Sequence, residues 1–110
     1  MTPPRSTRLQ GKTLRWTFDD GPVACKAFEH RFDADGSVAW RGAGDAAAPW
    51  HVEREAATAD FGDAVSVVSY RAASGHTLTV VLDFASSTML GFGSNSDMWS
   101  QQSGHFEVVG

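Results

Sequence analysis

The side chains able to do chemistry in this 110-residue chain are few and widely spaced. His30 stands between Phe28 and Phe32 in an alternating run, so it shares their register and is expected to point inward. An imidazole in an apolar cavity loses proton affinity by desolvation, and it can serve as a general base or a ligand donor. The plainer role is a core histidine with a fixed backbone partner. Arg41 closes the third alternating run beside Trp40, where a guanidinium can clamp a carboxylate through two parallel hydrogen bonds. Asp63 lies in the turn Phe61-Gly62-Asp63 that enters the fifth run, and Glu53 and Glu55 lie in the segment before it. For each of these charges the alternative is simple solvation at the surface. Read together, His30, Arg41 and Asp63 are the catalytic candidates. Arg41 would anchor an anion, and Asp63 or His30 would move a proton. A desolvated carboxylic acid can stay protonated near neutrality and act as the donor.

Other chemistry is poorly supplied. His30, His51, His76 and His105 fall at no recognised metal-ligand spacing, so no metal site is expected. Cys25, between Ala24 and Lys26, reads as a small packed side chain rather than a nucleophile. There is no glycine-rich phosphate loop and no nucleophile elbow, and no cofactor is expected. A lone cysteine forbids an intramolecular disulfide and is compatible with a reducing cytoplasm.

The charge balance removes several classes of partner. The formal net charge is −4, and the nine Lys and Arg residues are scattered. Nucleic acid needs several convergent cations, and so does an anionic membrane surface. Neither is expected as a partner. Met1 to Arg8 lacks the apolar run of a signal peptide, and no stretch approaches the roughly 20 apolar residues of a membrane span. The expectation is a cytoplasmic protein with residues 1–9 as a flexible N-terminal segment and 10–110 as one domain.

The elements that must position the candidate residues read as strands. Period-2 alternation is broken every 8 to 12 residues by turn formers. Runs cover 12–18, 26–32, 37–41, 64–71, 76–84, 88–92 and 104–109. Asp33-Ala34-Asp35-Gly36 marks the clearest hairpin. Residues 50–60 suit a helix by propensity, but alternation of Trp50 and Val52 favours a strand. Gly42 to Pro49 reads as a loop at a barrel mouth. About eight short strands without a confident helix fit a sandwich or a closed barrel. The aromatic-rich first strands favour an all-β, up-and-down antiparallel barrel, of a size that holds one small ligand. Trp16, Phe18, Phe28, Trp40 and Tyr70 are then its candidate ligand-binding residues, with core filling as their other role.

The order of these residues resembles a known group. Gly11-Lys12, Trp16, Phe18-Asp19 and Gly21 are followed by Phe28-Glu29, Phe32, Gly36-Ser37-Val38 and Trp40-Arg41. Later come Trp50, Gly62-Asp63, Val65, Val67, Ser69-Tyr70 and the run from Gly75 to Asp83. The pattern is similar to MoaF-like calycin (lipocalin-like) barrels and, more distantly, to bacterial phenolic acid decarboxylases, over roughly residues 10–93. The resemblance implies a barrel with a central small-molecule cavity, often dimeric. In the decarboxylases the pocket uses two tyrosines on the first strand, an arginine after the third and a glutamate entering the fifth. Here the arginine is kept as Arg41 and the acid as Asp63, but Trp16 and Phe18 stand where the tyrosines would be.

Three functions follow as expectations. The leading one is a cofactor-independent acid–base enzyme of lyase, isomerase or cyclase type acting on a small aromatic or conjugated metabolite. The second is a non-catalytic carrier of a hydrophobic small molecule, or a MoaF-like protein linked to molybdenum cofactor metabolism. The third is an interaction module whose cavity is filled by its own Trp and Phe side chains.

Overall fold

The computed structural model describes residues 5–110, which form nine β-strands and no helix. They are β1 (Thr13–Phe18), β2 (Ala27–Phe32), β3 (Val38–Gly42), β4 (His51–Glu53), β5 (Ala56–Phe61), β6 (Val65–Arg71), β7 (Thr77–Asp83), β8 (Thr88–Ser94) and β9 (Trp99–Val108). All belong to one antiparallel sheet in the order β4-β3-β2-β1-β9-β8-β7-β6-β5. A flat sheet of nine strands would be roughly 40 Å wide at about 4.8 Å per strand. The molecule measures only 34 × 30 × 29 Å, because the sheet curls into a nearly closed barrel.

Alternation drives the curl. β1 buries Leu14, Trp16 and Phe18 and turns Thr13, Arg15 and Thr17 outward; β6 buries Ser66, Val68 and Tyr70. The apolar ones among them join Phe32, Val38, Val80, Leu82, Met89 and Phe106 in one cluster, which only a sheet folded on itself can form. The Asp33–Ser37 hairpin is as its sequence indicates. The Asp33 and Gly36 amides close it, Gly36 takes φ 92°, and the Asp35 carboxylate accepts from the Ser37 amide and hydroxyl.

Two features differ from the sequence reading. Residues 50–60 form two strands rather than one, because Arg54 and Glu55 carry the chain across the barrel seam from edge strand β4 to edge strand β5. Cys25 is exposed, not packed. It occupies a turn at φ 67°, where its amide donates to the Phe18 carbonyl.

Of the N-terminal segment expected to be flexible, residues 1–4 lie outside the described residues. Ser6 and Leu9 are buried at the end of the barrel away from the β6–β7 turn. Asp60 on β5 is their anchor. Its carboxylate accepts hydrogen bonds from the Ser6 hydroxyl, from the Thr7 and Arg8 amides and from Ser66. Burial opposes ionisation of Asp60, but these donors and the Arg8 charge prevail and bring its pKa down to about 2. Gly11 then donates to the Phe32 carbonyl, so the segment spans from β5 to β2 across the base.

Candidate functional site

The other end of the barrel is hollow. A cavity of about 290 Å³ opens where β1 ends, β2 begins and the β6–β7 and β8–β9 turns meet. Phe18, Phe28, Trp40 and Tyr70 form aromatic walls, and Leu78 and Met98 add apolar surface towards the mouth. Phe28 stands edge-on to both Phe18 and Trp40, with ring centroids 6.1 and 6.3 Å apart. The rings therefore face the cavity from more than one side.

His30 is the polar group of the deep wall. It is buried, stacked on Trp16 at 3.6 Å between ring centroids, with Nε2 2.9 Å from the Tyr70 hydroxyl. Burial pushes its pKa down to about 3. Burial, and secondarily the charge of Glu53, hold the Tyr70 phenol well above the ordinary phenol range. Both groups are thus neutral at physiological pH. His30 Nδ1 is buried and has no hydrogen-bond partner among the described residues. A buried N–H without a partner is costlier than a bare lone pair, so the favoured tautomer carries its proton on Nε2. Nε2–H then donates to the Tyr70 oxygen, and the Tyr70 O–H is free to donate to a ligand.

Glu53 is the residue that sequence reasoning undervalued. It pairs with Val38 across β3–β4 and so shares its inward face. Its buried carboxylate accepts from Trp40 Nε1 at 2.9 Å and from the Ala73 amide at 3.3 Å. These bonds tie β3 and β4 to the β6–β7 turn, bridging the seam where no backbone ladder joins β4 to β5. Pairing turns Glu53 inward and leaves Val52 exposed, the reverse of the register that an apolar Val52 suggests. Gln102, buried on β9 and bonded to Ser100, was also unmarked; it lines the cavity with Ser100.

The structure brings only part of the predicted constellation together. His30, Phe18, Phe28, Trp40 and Tyr70 line the cavity. Trp16 is fully buried behind His30 and supports it without lining the space. Arg41 is a correction. One residue from inward Trp40, it turns to the outer face, donates to Glu29 at 2.9 Å and to the Ala46 carbonyl, and lies 4.1 Å from the Trp50 ring centroid. Asp63 is a second correction. It is exposed in the turn before β6, while Tyr70 marks the cavity end of that strand, so the two lie at opposite ends of the barrel. Trp50 belongs to the outer face, between Arg31 and Arg41.

The remaining histidines disperse. His51 stacks on Trp40, His105 meets Asp19, and His76 lies at the cavity mouth. Among the described residues no three His, Cys, Asp or Glu side chains group to hold a metal ion. At the mouth, Ser74, His76 and Asn95 form a chain of polar contacts. Asn95 Oδ1 accepts from the Asp97 and Met98 amides, which directs its Nδ2 at His76 Nε2, 3.2 Å away. Nε2 must then be the acceptor, and Nδ1–H donates to the Ser74 oxygen at 3.3 Å.

No family model matches the chain, and no curated protein matches it. Among solved structures, it is similar to a Burkholderia vietnamiensis protein whose crystal structure carries the provisional name beta-lactamase. The TM-score is 0.75 at 19% identity, over 97% of this chain and 100% of that one. At that identity the likeness is one of fold: both chains build the same kind of antiparallel barrel.

Proposed function

We propose that this barrel binds a small, mostly apolar molecule in the β1/β2/β6 end of its cavity and holds it without covalent change. The observation that carries this reading is the aromatic-walled cavity of about 290 Å³, with His30 and Tyr70 as its buried hydrogen-bonding pair. That volume is near the small end of the roughly 300–1,000 Å³ of ligand pockets. The ligand's one polar acceptor would meet the Tyr70 O–H.

The acid–base enzyme reading has less support. An anion clamp and an acid were to come from Arg41 and Asp63, and neither lines the cavity. His30 and Tyr70 are also a weak base and a weak acid, far from the near-neutral pKa that favours proton transfer. Serine-based hydrolysis, suggested by the name of the Burkholderia protein, meets a further obstacle. The locked tautomer makes His76 a donor to Ser74, not the acceptor of its proton. The MoaF-like resemblance supports the binding reading, since such barrels imply a central small-molecule cavity. We retain with it a cytoplasmic protein, a homodimer and no cofactor.

Tryptophan fluorescence during titration with benzyl alcohol and with 3,3-dimethylbutan-1-ol tests the reading. Trp40 in the wall and Trp16 behind His30 should report a saturable change. Ala72→Phe, which projects a ring into the cavity, should abolish it while leaving the circular dichroism spectrum intact. An unsaturable response, or one indifferent to Ala72→Phe, would overturn the reading.

A further inference from the structure

The charge distribution around the cavity narrows the ligand class. Among the described residues its lining contains no Lys or Arg, so an anion would find no counter-charge there. Behind the lining stands Glu53, 7% exposed. Among the described residues it is bonded to the Trp40 indole and the Ala73 amide, and no cationic side chain pairs with it. Buried carboxylates are ordinarily paired, because desolvating a lone charge is costly. Its hydrogen bond from Trp40 sets the carboxylate directly behind a wall of the cavity.

The walls favour a cation as well. Aromatic rings present a negative face, and an organic cation is attracted within about 6 Å of it, most strongly over Trp. Trp40 donates its N–H to Glu53, which adds electron density to the ring nearest that carboxylate. Phe18 and Phe28 turn at 65° to one another, and Phe28 and Trp40 at 72°. A rounded, weakly hydrated cation suits such a space better than a flat neutral ring does.

We propose that the ligand is a small alkylammonium cation, seated among Phe18, Phe28 and Trp40 and balanced by Glu53 at the edge of the Trp40 ring. This rests on the reading that the cavity is a ligand site. A hydroxyl or carbonyl on the ligand would accept from Tyr70, so the molecule combines a methylated ammonium with one oxygen.

The test compares two compounds of nearly equal shape, choline and its uncharged analogue 3,3-dimethylbutan-1-ol, by isothermal titration calorimetry on the full chain at neutral pH. Choline should bind at least about tenfold more tightly, a difference of about 1.4 kcal/mol. The ratio of the two affinities should fall towards one in Glu53→Gln and in Phe28→Leu. The second variant keeps an apolar wall and leaves the seam alone, so it decides the matter if Glu53→Gln does not fold. Equal or tighter binding of the uncharged compound overturns the proposal and leaves the cavity as a ligand site. An unchanged ratio in folded variants also overturns it. Binding of neither compound overturns both.

Discussion

His30 Nε2 lies 2.9 Å from the Tyr70 hydroxyl oxygen, joining β2 to β6 across the interior of the barrel. This contact links two strands that are far apart in the sheet order, so it fixes the cross-section at the cavity floor. Tyr70→Phe leaves both nitrogens of a buried imidazole without partners and should destabilise by about 1–3 kcal/mol. The double variant His30→Phe/Tyr70→Phe removes the polar requirement altogether and should recover part of that loss. Urea unfolding of Tyr70→Phe, His30→Phe and the double variant measures the coupling; additive losses would mean that the two side chains act independently.

His30 also imposes a pH dependence. Its pKa is about 3 folded against 6.5 in an ordinary histidine, so between those values the unfolded chain binds the extra proton. Stability therefore rises with pH from about 3 to 6.5, by up to about 1.4 kcal/mol per pH unit, and is lost as pH falls through that window. His30→Phe should flatten the slope in chemical denaturation measured at pH 4.5, 5.5 and 6.5. A slope unchanged by this substitution would place its origin elsewhere.

Asp60 works lower on the scale. Its folded pKa of about 2 lies below the ordinary 3.8, so its contribution is present above about pH 4 and disappears as pH drops towards 2. At neutral pH Asp60→Asn should lose about 1 kcal/mol, because solvent around this exposed residue screens part of the gain. Because the carboxylate collects Ser6, Thr7 and Arg8, the same variant should accelerate amide hydrogen exchange at residues 7–9 before it affects β6. Exchange that rises uniformly through the barrel would contradict the anchoring role.

Arg41 and Asp63 separate placement from residue type. Arg41→Ala breaks a half-buried ion pair with Glu29 and a stack on Trp50, and should reduce stability by about 1 kcal/mol. Neither it nor Asp63→Ala should alter ligand binding, and Asp63→Ala should stay within about 0.5 kcal/mol of wild type. Loss of ligand binding in Arg41→Ala would restore the anion clamp.

Much of the barrel was legible because alternation and turn chemistry are local. Leu14, Trp16 and Phe18 declare one face of β1, and Asp33-Ala34-Asp35-Gly36 declares a hairpin. His30 and the aromatic walls followed from the same register. The rest depends on contacts between distant segments. Nothing near Arg54 announces that the chain crosses a seam there, so β4 and β5 read as one strand. Asp60 gains its donors from Ser6 to Arg8, more than 50 residues earlier. Glu53 becomes informative only when the β6–β7 turn is beside it. Arg41 was misplaced because its neighbour Trp40 drew attention to a barrel end, although alternation itself sends the two to opposite faces.

The proposed ligand occupies the space beside a neutral His30–Tyr70 pair. Long-range ¹H–¹⁵N correlation of the imidazoles, recorded between pH 5 and 7.5 with and without saturating choline, tests it most directly. One histidine should keep the nitrogen shifts of a neutral Nε2–H ring down to pH 5, and those shifts should move when choline binds. A His30 that titrates near pH 6.5, or whose shifts are unaltered by choline and by 3,3-dimethylbutan-1-ol alike, would contradict it.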